Sequence, residues 1–561
     1  MKMRVILFAW VVPIGIPCAI ALLSSGGAMF ASGGSAASPP GEPIASVSDT
    51  QRVAAFLASA PENGGVATIP PGNYLLDGTA PLPIPSGVTV RAYGARFSFP
   101  QQIAEGAQLV MFDGTNVTNF AWYGGEFIGH VFDPANRINA WEPSASTRVF
   151  VINTSSNGVT KNILFDRVRS NGISGAVVTV QPNSSNLADV TAYAQGIHVQ
   201  NCTLLRSGKF MWDYGYLWQE ILWPEEYQPW EVERAMSYFP NNLVRPATIA
   251  AGDDRVQCNN LNPAIAVSSS NTPTYAVCFY GGPLPPELTR GQEYFVVESA
   301  TNYIKVSGSF GGPAIAFTGT GSYQVKLLDN LQHAYYDLSQ PLGAGPGNGA
   351  IDITAAQDVE VTHCTLGGLG DLTHFVWSKG VLFEDNRILG ARMGAVWLTN
   401  NCQNATVTGN IVDGADGSRV LTVELSQNVT VSYNTFRDGG RGSWIVQPDN
   451  IILLGNVFEN NTLKGTPNWQ RGRRSFLTGS WESSPEMYVT LSGSGGSYGP
   501  VSVVLNHFAV GKYCAASAVT FDTDGQGITM IDNKFSGRSA RIFVASGSQW
   551  VNMQGNTGVA P

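Results

Sequence analysis

Charge is scarce in this chain. Only 13% of its 561 residues are Asp, Glu, Lys or Arg, and acidic residues outnumber basic ones 41 to 32, for a net charge of −9. With no basic tail and no lysine-rich helix, nucleic acid is excluded as a main partner. The cysteines and histidines never fall at zinc-binding spacing. No glycine-rich phosphate loop follows a strand and opens a helix, and no Gly-x-Ser-x-Gly elbow occurs. Glycine, by contrast, is abundant at 63 residues, and 43% of the chain is hydrophobic, which suits a turn-rich all-β protein with a large core.

From Gly349 to Asn461 one short phrase repeats: DVEVTHCTL, GVLFEDNRIL, NATVTGNIV, NVTVSYNTF, NIILLGNVF. Cys364, Asn386, Asn410, Asn434 and Asn456 hold the same place in successive copies, at intervals of 22, 24, 24 and 22 residues. A fixed period of this size marks a solenoid in which each copy is one coil. The apolar–polar alternation has period two and no helical stripe fits between copies, so the coils are made of strands. Three short strands with tight turns fill such a coil, giving a parallel β-helix. The recurring Asn is expected at a bend, in the left-handed conformation, with its side chain stacked on its neighbours and hydrogen-bonded along the column. Val168, Cys202, Asn506, Asn533 and Asn556 carry the same phrase outside the block.

Towards the N-terminus, Val53, Phe56 and Leu57 give an apolar face to a short helix predicted over Thr50 to Ala58. Gly64, Gly65, Ile69, Pro70, Gly72 and Tyr74 then follow the pattern G-G-x-V-x-I-P-x-G-x-Y, with Val66 one place ahead of the patterned valine. Here the chain resembles the pectate-lyase-like superfamily, in which a similar helix and pattern open the coil. The resemblance implies an all-β, right-handed parallel β-helix with a capping helix that covers its open end. It implies a secreted, polysaccharide-active protein, in a superfamily that holds lyases, hydrolases, epimerases and phage tailspikes. The close Asp-Asp pair and Gly-His-Gly of its pectin-cleaving hydrolases are absent here, as are the paired acidic sites of its calcium-dependent pectate lyases.

Residues 1–37 read as a secretory leader and linker: a basic start, an apolar run from Val5 to Leu23, then small residues. Residues 38–208 are expected to hold the cap and first coils, and 331–561 the main coils, broken by a loop near 463–499. Between them, 209–330 is an insertion, aromatic at first and then a small β module with the runs YFVVES, YIKVSG and YQVKLL. Cys258 and Cys278 lie in it, and their pairing is left open. Cys202 and Cys364 are expected as small buried residues stacked on consecutive coils. The protein is expected outside the cytoplasm as a monomer, with no membrane association once the leader is removed. No cofactor follows from the residues, and calcium is left open.

Each coil also offers a second strand: AIDITA, THFVWS, VWLTNN, LTVELS, SWIVQP. If Ile351, Ile353, Phe375, Leu421, Val423 and Ile445 point inward, one outward column holds Asp352, His374, Trp397, Thr422 and Trp444. Another holds Thr354, Val376, Thr399, Glu424 and Val446. Asp371, Arg392, Arg419 and Arg441 fall at the turns entering these strands. Outward indoles suit the flat C–H faces of sugar rings, and guanidinium groups suit carboxylates or sulfates.

Three functions fit this set. In the first, Arg392, Arg419 or Arg441 grips a uronate carboxylate while His374, oriented by Asp352, removes the C5 proton in a β-elimination. In the second, two carboxylates hydrolyse the linkage, with Asp371 and Glu424 the pair whose coil separation suits inversion. In the third, the chain is a non-catalytic carbohydrate-binding surface protein. Unlike residues concentrated in about five coils favour a single enzymatic site over a repetitive adhesive rod, and elimination is preferred to hydrolysis.

Overall fold

The structure is a computed structural model that describes residues 47–559, apart from 130–145, 209–243, 259–275, 329–347, 462–484 and shorter breaks that include 369–370, 392–393 and 440–441. The expected leader therefore lies outside the described residues. Three long parallel sheets of 13, 12 and 12 strands run side by side, and the chain visits them in turn. Each strand pairs with its counterpart one coil earlier and one coil later, as in Ile163 with Ile197 or Val429 with Ile451. This is a right-handed parallel β-helix with a continuous apolar interior from Val53 to Phe535.

The helix spans Asp49–Ala58 and begins with a reciprocal capping box, Gln51 N–H donating to Ser48 Oγ at 3.2 Å and Ser48 N–H to Gln51 Oε1 at 3.1 Å. Val53 and Leu57 are buried, and Phe56 meets Tyr74 edge-on, with ring centroids 6.4 Å apart. The helix thus seals the first coil, whose strand edges have no earlier partner among the described residues. Further along, aromatic rings stack from coil to coil, as Phe436, Phe458, Phe508 and Phe535 do at about 5 Å.

The asparagine column is buried and continuous. Asn386, Asn410, Asn434, Asn456, Asn506 and Asn533 each donate a backbone N–H to the next asparagine's Oδ1 at 2.8–3.0 Å. Each Nδ2 donates to that same oxygen and to a carbonyl on the preceding coil, as Asn434 does to Val407 at 2.8 Å. Cys364 and Cys202 continue the column on adjacent coils, their thiols facing backbone carbonyls.

One expectation is corrected. The column residues are not left-handed; the residue before each one is. Asp385, Gly409, Tyr433, Gly455, Leu505 and Asp532 have φ between 50° and 69°. The asparagine is needed for its amide, and the bend is made by its neighbour, whose side chain points to solvent and varies. Left-handed asparagines do occur in a second, exposed ladder, where Asn450 donates to Asn428 at 2.8 Å and Asn428 to Asn404 at 3.1 Å.

The first insertion carries a closed antiparallel barrel of six strands: Val244–Ile249, Arg255–Cys258, Ala276–Tyr280, Tyr294–Ser299, Tyr303–Ser307 and Gly321–Leu328. It has its own core, with Val256, Cys258, Phe279, Val296, Ile304 and Phe317. It lies in sequence between the strands Thr203–Ser207 and Asn348–Thr354 of the solenoid. Cys278 sits on a barrel strand, but its side chain is outside the described residues.

One buried carboxyl was not legible in advance. Glu486 is fully buried and accepts N–H groups from Asn461 at 2.9 Å and Gly511 at 3.3 Å. Desolvation pushes it up to about 7, against the lowering effect of those hydrogen bonds.

Three outcomes are expected. Asn434→Ala strips partners from Asn410, Val407 and Asn456, and is expected to cost about 3 kcal/mol or more in urea unfolding. Asn428→Ala, in the exposed ladder, is expected to cost about 1 kcal/mol at most. For Glu486, a carboxyl raised in the fold binds its proton more tightly there than in the unfolded chain. Stability from this group is therefore full below its ordinary range and lost as pH rises to about 7, a swing of about 3 kcal/mol. Thermal melts from pH 5 to 8 should show that component in the native protein and not in Glu486→Gln.

Candidate functional site

The third sheet sets the site. Its register runs Thr179–Asp352–His374–Trp397–Thr422–Trp444–Tyr488, one residue per coil, in a single outward file. Ile351, Ile353, Phe375, Leu421, Val423 and Ile445 face inward and are fully buried. Alternation within each strand and strict coil-on-coil register together force the unlike polar residues into line.

His374 is the centre of this file. Its Nδ1 lies 3.8 Å from Asp352 Oδ1, and its Nε2 lies 3.5 Å from Thr399 Oγ1 in the second column. The Trp397 ring stands edge-on to it, with centroids 5.8 Å apart. The imidazole and the Asp352 carboxylate keep 22% and 20% of their side-chain surface exposed, so both can be reached from outside. Burial lowers the His374 pKa and the Asp352 charge only partly opposes this, so the ring is neutral at neutral pH. At 3.5 Å the Thr399 contact is long for a hydrogen bond, which leaves the Nε2 lone pair open to a proton.

Two coils on, the Arg419 guanidinium carbon sits 3.6 Å above the centre of the Trp444 ring, and Trp444 leans on Tyr488 with centroids 5.0 Å apart. One face of this indole is thus taken by a cation, an arrangement that desolvation strengthens. Burial raises the Glu424 carboxyl above its ordinary value, with Arg419 pulling the other way. Trp397 folds its indole over Gly394 so closely that a Cβ there would collide with Nε1, which explains why the position is glycine.

The register does not bring Asp371 to Glu424. Asp371 pairs through Gly394 with Arg419, which is five residues before Glu424 on its strand. Five residues are about 16 Å along a strand, so adding the two-coil offset leaves the pair well beyond the span of a hydrolytic couple. Coil counting gave the spacing across the sheet and missed the displacement along it. The Asp371 side chain, and Arg392 and Arg441 altogether, lie outside the described residues.

Sequence reasoning missed the near end of the site. Gln181 Nε2 donates to Asn153 Oδ1 at 3.0 Å, and Asn153 Nδ2 to Asp113 Oδ1 at 3.0 Å. Arg148 lies within electrostatic reach of both Asp113 and Asp352; burial lowers its pKa and the two carboxylates oppose that. Asp113 itself is raised by burial. Carrying the file back across the insertion, from Asp352 to Thr179, Val151 and Asp113, was the signal that would have found them. Among the described residues no group of three or more His, Cys, Asp or Glu is placed to hold a metal ion. No described helix is long and apolar enough to cross a membrane.

A family model described as a right handed beta helix region matches residues 334–479. No curated protein matches the chain in sequence. Among solved structures, the mannuronan C-5 epimerase AlgE6 A-module of Azotobacter vinelandii is similar at a TM-score of 0.47 and 10% identity, over 90% of this chain and 93% of that one. The surface adhesin PfbA of Streptococcus pneumoniae is similar at 0.40 and 11%, over 91% and 88%. The endo-xylogalacturonan hydrolase of Aspergillus tubingensis is similar at 0.33 and 10%, over 93% and 96%. The site file from Asp352 to Trp444 falls inside the matched segment, and sequence and coordinates agree that this part of the chain is a right-handed β-helix.

Proposed function

We propose that the protein is a secreted lyase that cleaves an acidic, uronate-containing polysaccharide by β-elimination. The observation that carries this reading is His374: a neutral, reachable imidazole beside Asp352, in one file with two indoles and with Arg419 alongside. Arg419 binds the uronate carboxylate, which makes the C5 proton more acidic. His374 Nε2 removes that proton, its Nδ1–H held towards Asp352. The electron pair closes the C4–C5 double bond as the C4–O bond breaks. Glu424, whose carboxyl burial raises above its ordinary value, is the group placed to give a proton to the leaving oxygen. His374 and Glu424 are two coils and two residues apart, roughly 12 Å at the backbone, a gap that two side chains and a sugar ring span.

Hydrolysis is the second reading, favoured by the raised Glu424 carboxyl, which is also what a glycosidase acid requires. It needs a second carboxylate within reach, and Asp352 is three coils away. A non-catalytic carbohydrate-binding surface protein is the third.

On uronate polysaccharides the native protein should release unsaturated ends, read by their ultraviolet absorbance. Reducing ends without that absorbance mean hydrolysis, and neither product means binding alone. His374→Ala is expected to lower elimination at least about 100-fold and Glu424→Gln by a similar factor. A base must be unprotonated and the His374 pKa is lowered. The acid limb of kcat/KM should therefore fall below the ordinary histidine range and vanish in His374→Ala. Assays with calcium and with a chelator decide whether an ion assists.

A further inference from the structure

Polar groups sealed inside this solenoid are generally satisfied, and the asparagine column is the clearest case. Exceptions occur in several coils, Ser170, Ser207 and Ser443 among them, and three fall on the outward file of the third sheet: among the described residues, Thr179 Oγ1, Trp397 Nε1 and Thr422 Oγ1 are buried there without a hydrogen-bond partner. Thr179 is 1% and Thr422 2% exposed. A buried donor or acceptor left unmatched is destabilising, so its persistence points to a partner supplied from outside. Thr422 is the best placed of the three. In register it stands directly between Trp397 and Trp444. Glu424 is two residues along its own strand, and Arg419 lies over the Trp444 ring.

We propose that Thr422 is the hydroxyl-reading residue of a sugar subsite bounded by Trp397 on one side and by Arg419 on its Trp444 bed on the other, which takes one uronate unit. The Trp397 indole meets a C–H face of the pyranose, the Thr422 hydroxyl pairs with a ring hydroxyl, and the carboxylate lies towards Arg419, which covers the Trp444 ring. The hydroxyl is covered in the free protein, so the flanking side chains part as the sugar enters. This rests on the reading that the ligand is an acidic polysaccharide, but not on how the polysaccharide is cleaved.

The feature separates function from structure. At a position that merely packs, Thr→Val removes an unmatched hydroxyl at nearly constant shape and should leave the melting temperature equal or higher. At a ligand contact the same change weakens binding. In a His374→Ala background, which prevents turnover, tetramers of galacturonate and of mannuronate–guluronate are titrated by tryptophan fluorescence, with a neutral cellotetraose as control. The Thr422 parent should bind an oligouronate in preference to cellotetraose, with a change in tryptophan emission. Thr422→Val should bind about tenfold more weakly, the equivalent of one neutral hydrogen bond, without a fall in melting temperature. Thr422→Ser should restore binding. If Thr422→Val binds as tightly as its parent, the subsite is overturned while the acidic-polysaccharide reading stands. If Thr422→Val melts several degrees lower and Thr422→Ser rescues only stability, the hydroxyl is structural and the subsite is again overturned. If no oligouronate binds the parent at all, subsite and substrate reading fall together.

Discussion

Everything in this protein depends on coils stacking in register. The hydrogen bonds of the three sheets set coils at the usual strand spacing, but sheet bonding alone tolerates a slip. The buried asparagine column removes that freedom, because each amide has both its donors and its acceptor committed to the coils above and below. A coil displaced by one residue would break every one of those bonds and turn its apolar residues outward. The same constraint that holds the core then dictates which outward side chains become neighbours.

It is this dictation that makes a site out of residues far apart in sequence. Asp352, His374, Trp397, Thr422 and Trp444 share no local motif, and each is one residue in an ordinary strand. Their chemistry arises from stacking: a carboxylate beside an imidazole, an imidazole beside an indole, a guanidinium over the next indole of the file. Burial supplies the rest. It keeps His374 neutral and Glu424 inclined to hold its proton, which is the division of labour that a proton-moving reaction needs.

The winding was legible in the sequence because period and alternation are redundant signals, repeated in copy after copy. The file from Asp352 to Trp444 was legible for the same reason, since its coils follow one another without interruption. Asp113, Arg148, Asn153 and Gln181 were not, because the insertion puts more than a hundred residues between their coils and Asp352, and no spacing survives that distance. The pairing of Asp371 with Glu424 failed because a period fixes which coil a residue belongs to, not how far along the strand it sits. The left-handed bend was misplaced by one residue because the position that makes it is chemically variable, Tyr433 in one coil and Leu505 in another. Glu486 lies inside 463–499, expected as a loop, where the repeat gives no guide; the structure instead runs the third-sheet strand Met487–Thr490 there.

The inserted barrel divides the site in time as well as in sequence. Asp113 and Arg148 belong to coils made before it, Asp352 and His374 to coils made after it. During synthesis the first part can wind and the barrel can close on its own core, yet the polar cluster still lacks half its members. It is completed only when the strand holding Asp352 docks against the one holding Thr179. The cluster is thus incomplete until the chain has resumed its spiral beyond the barrel, and its closure marks the point at which the two halves have joined.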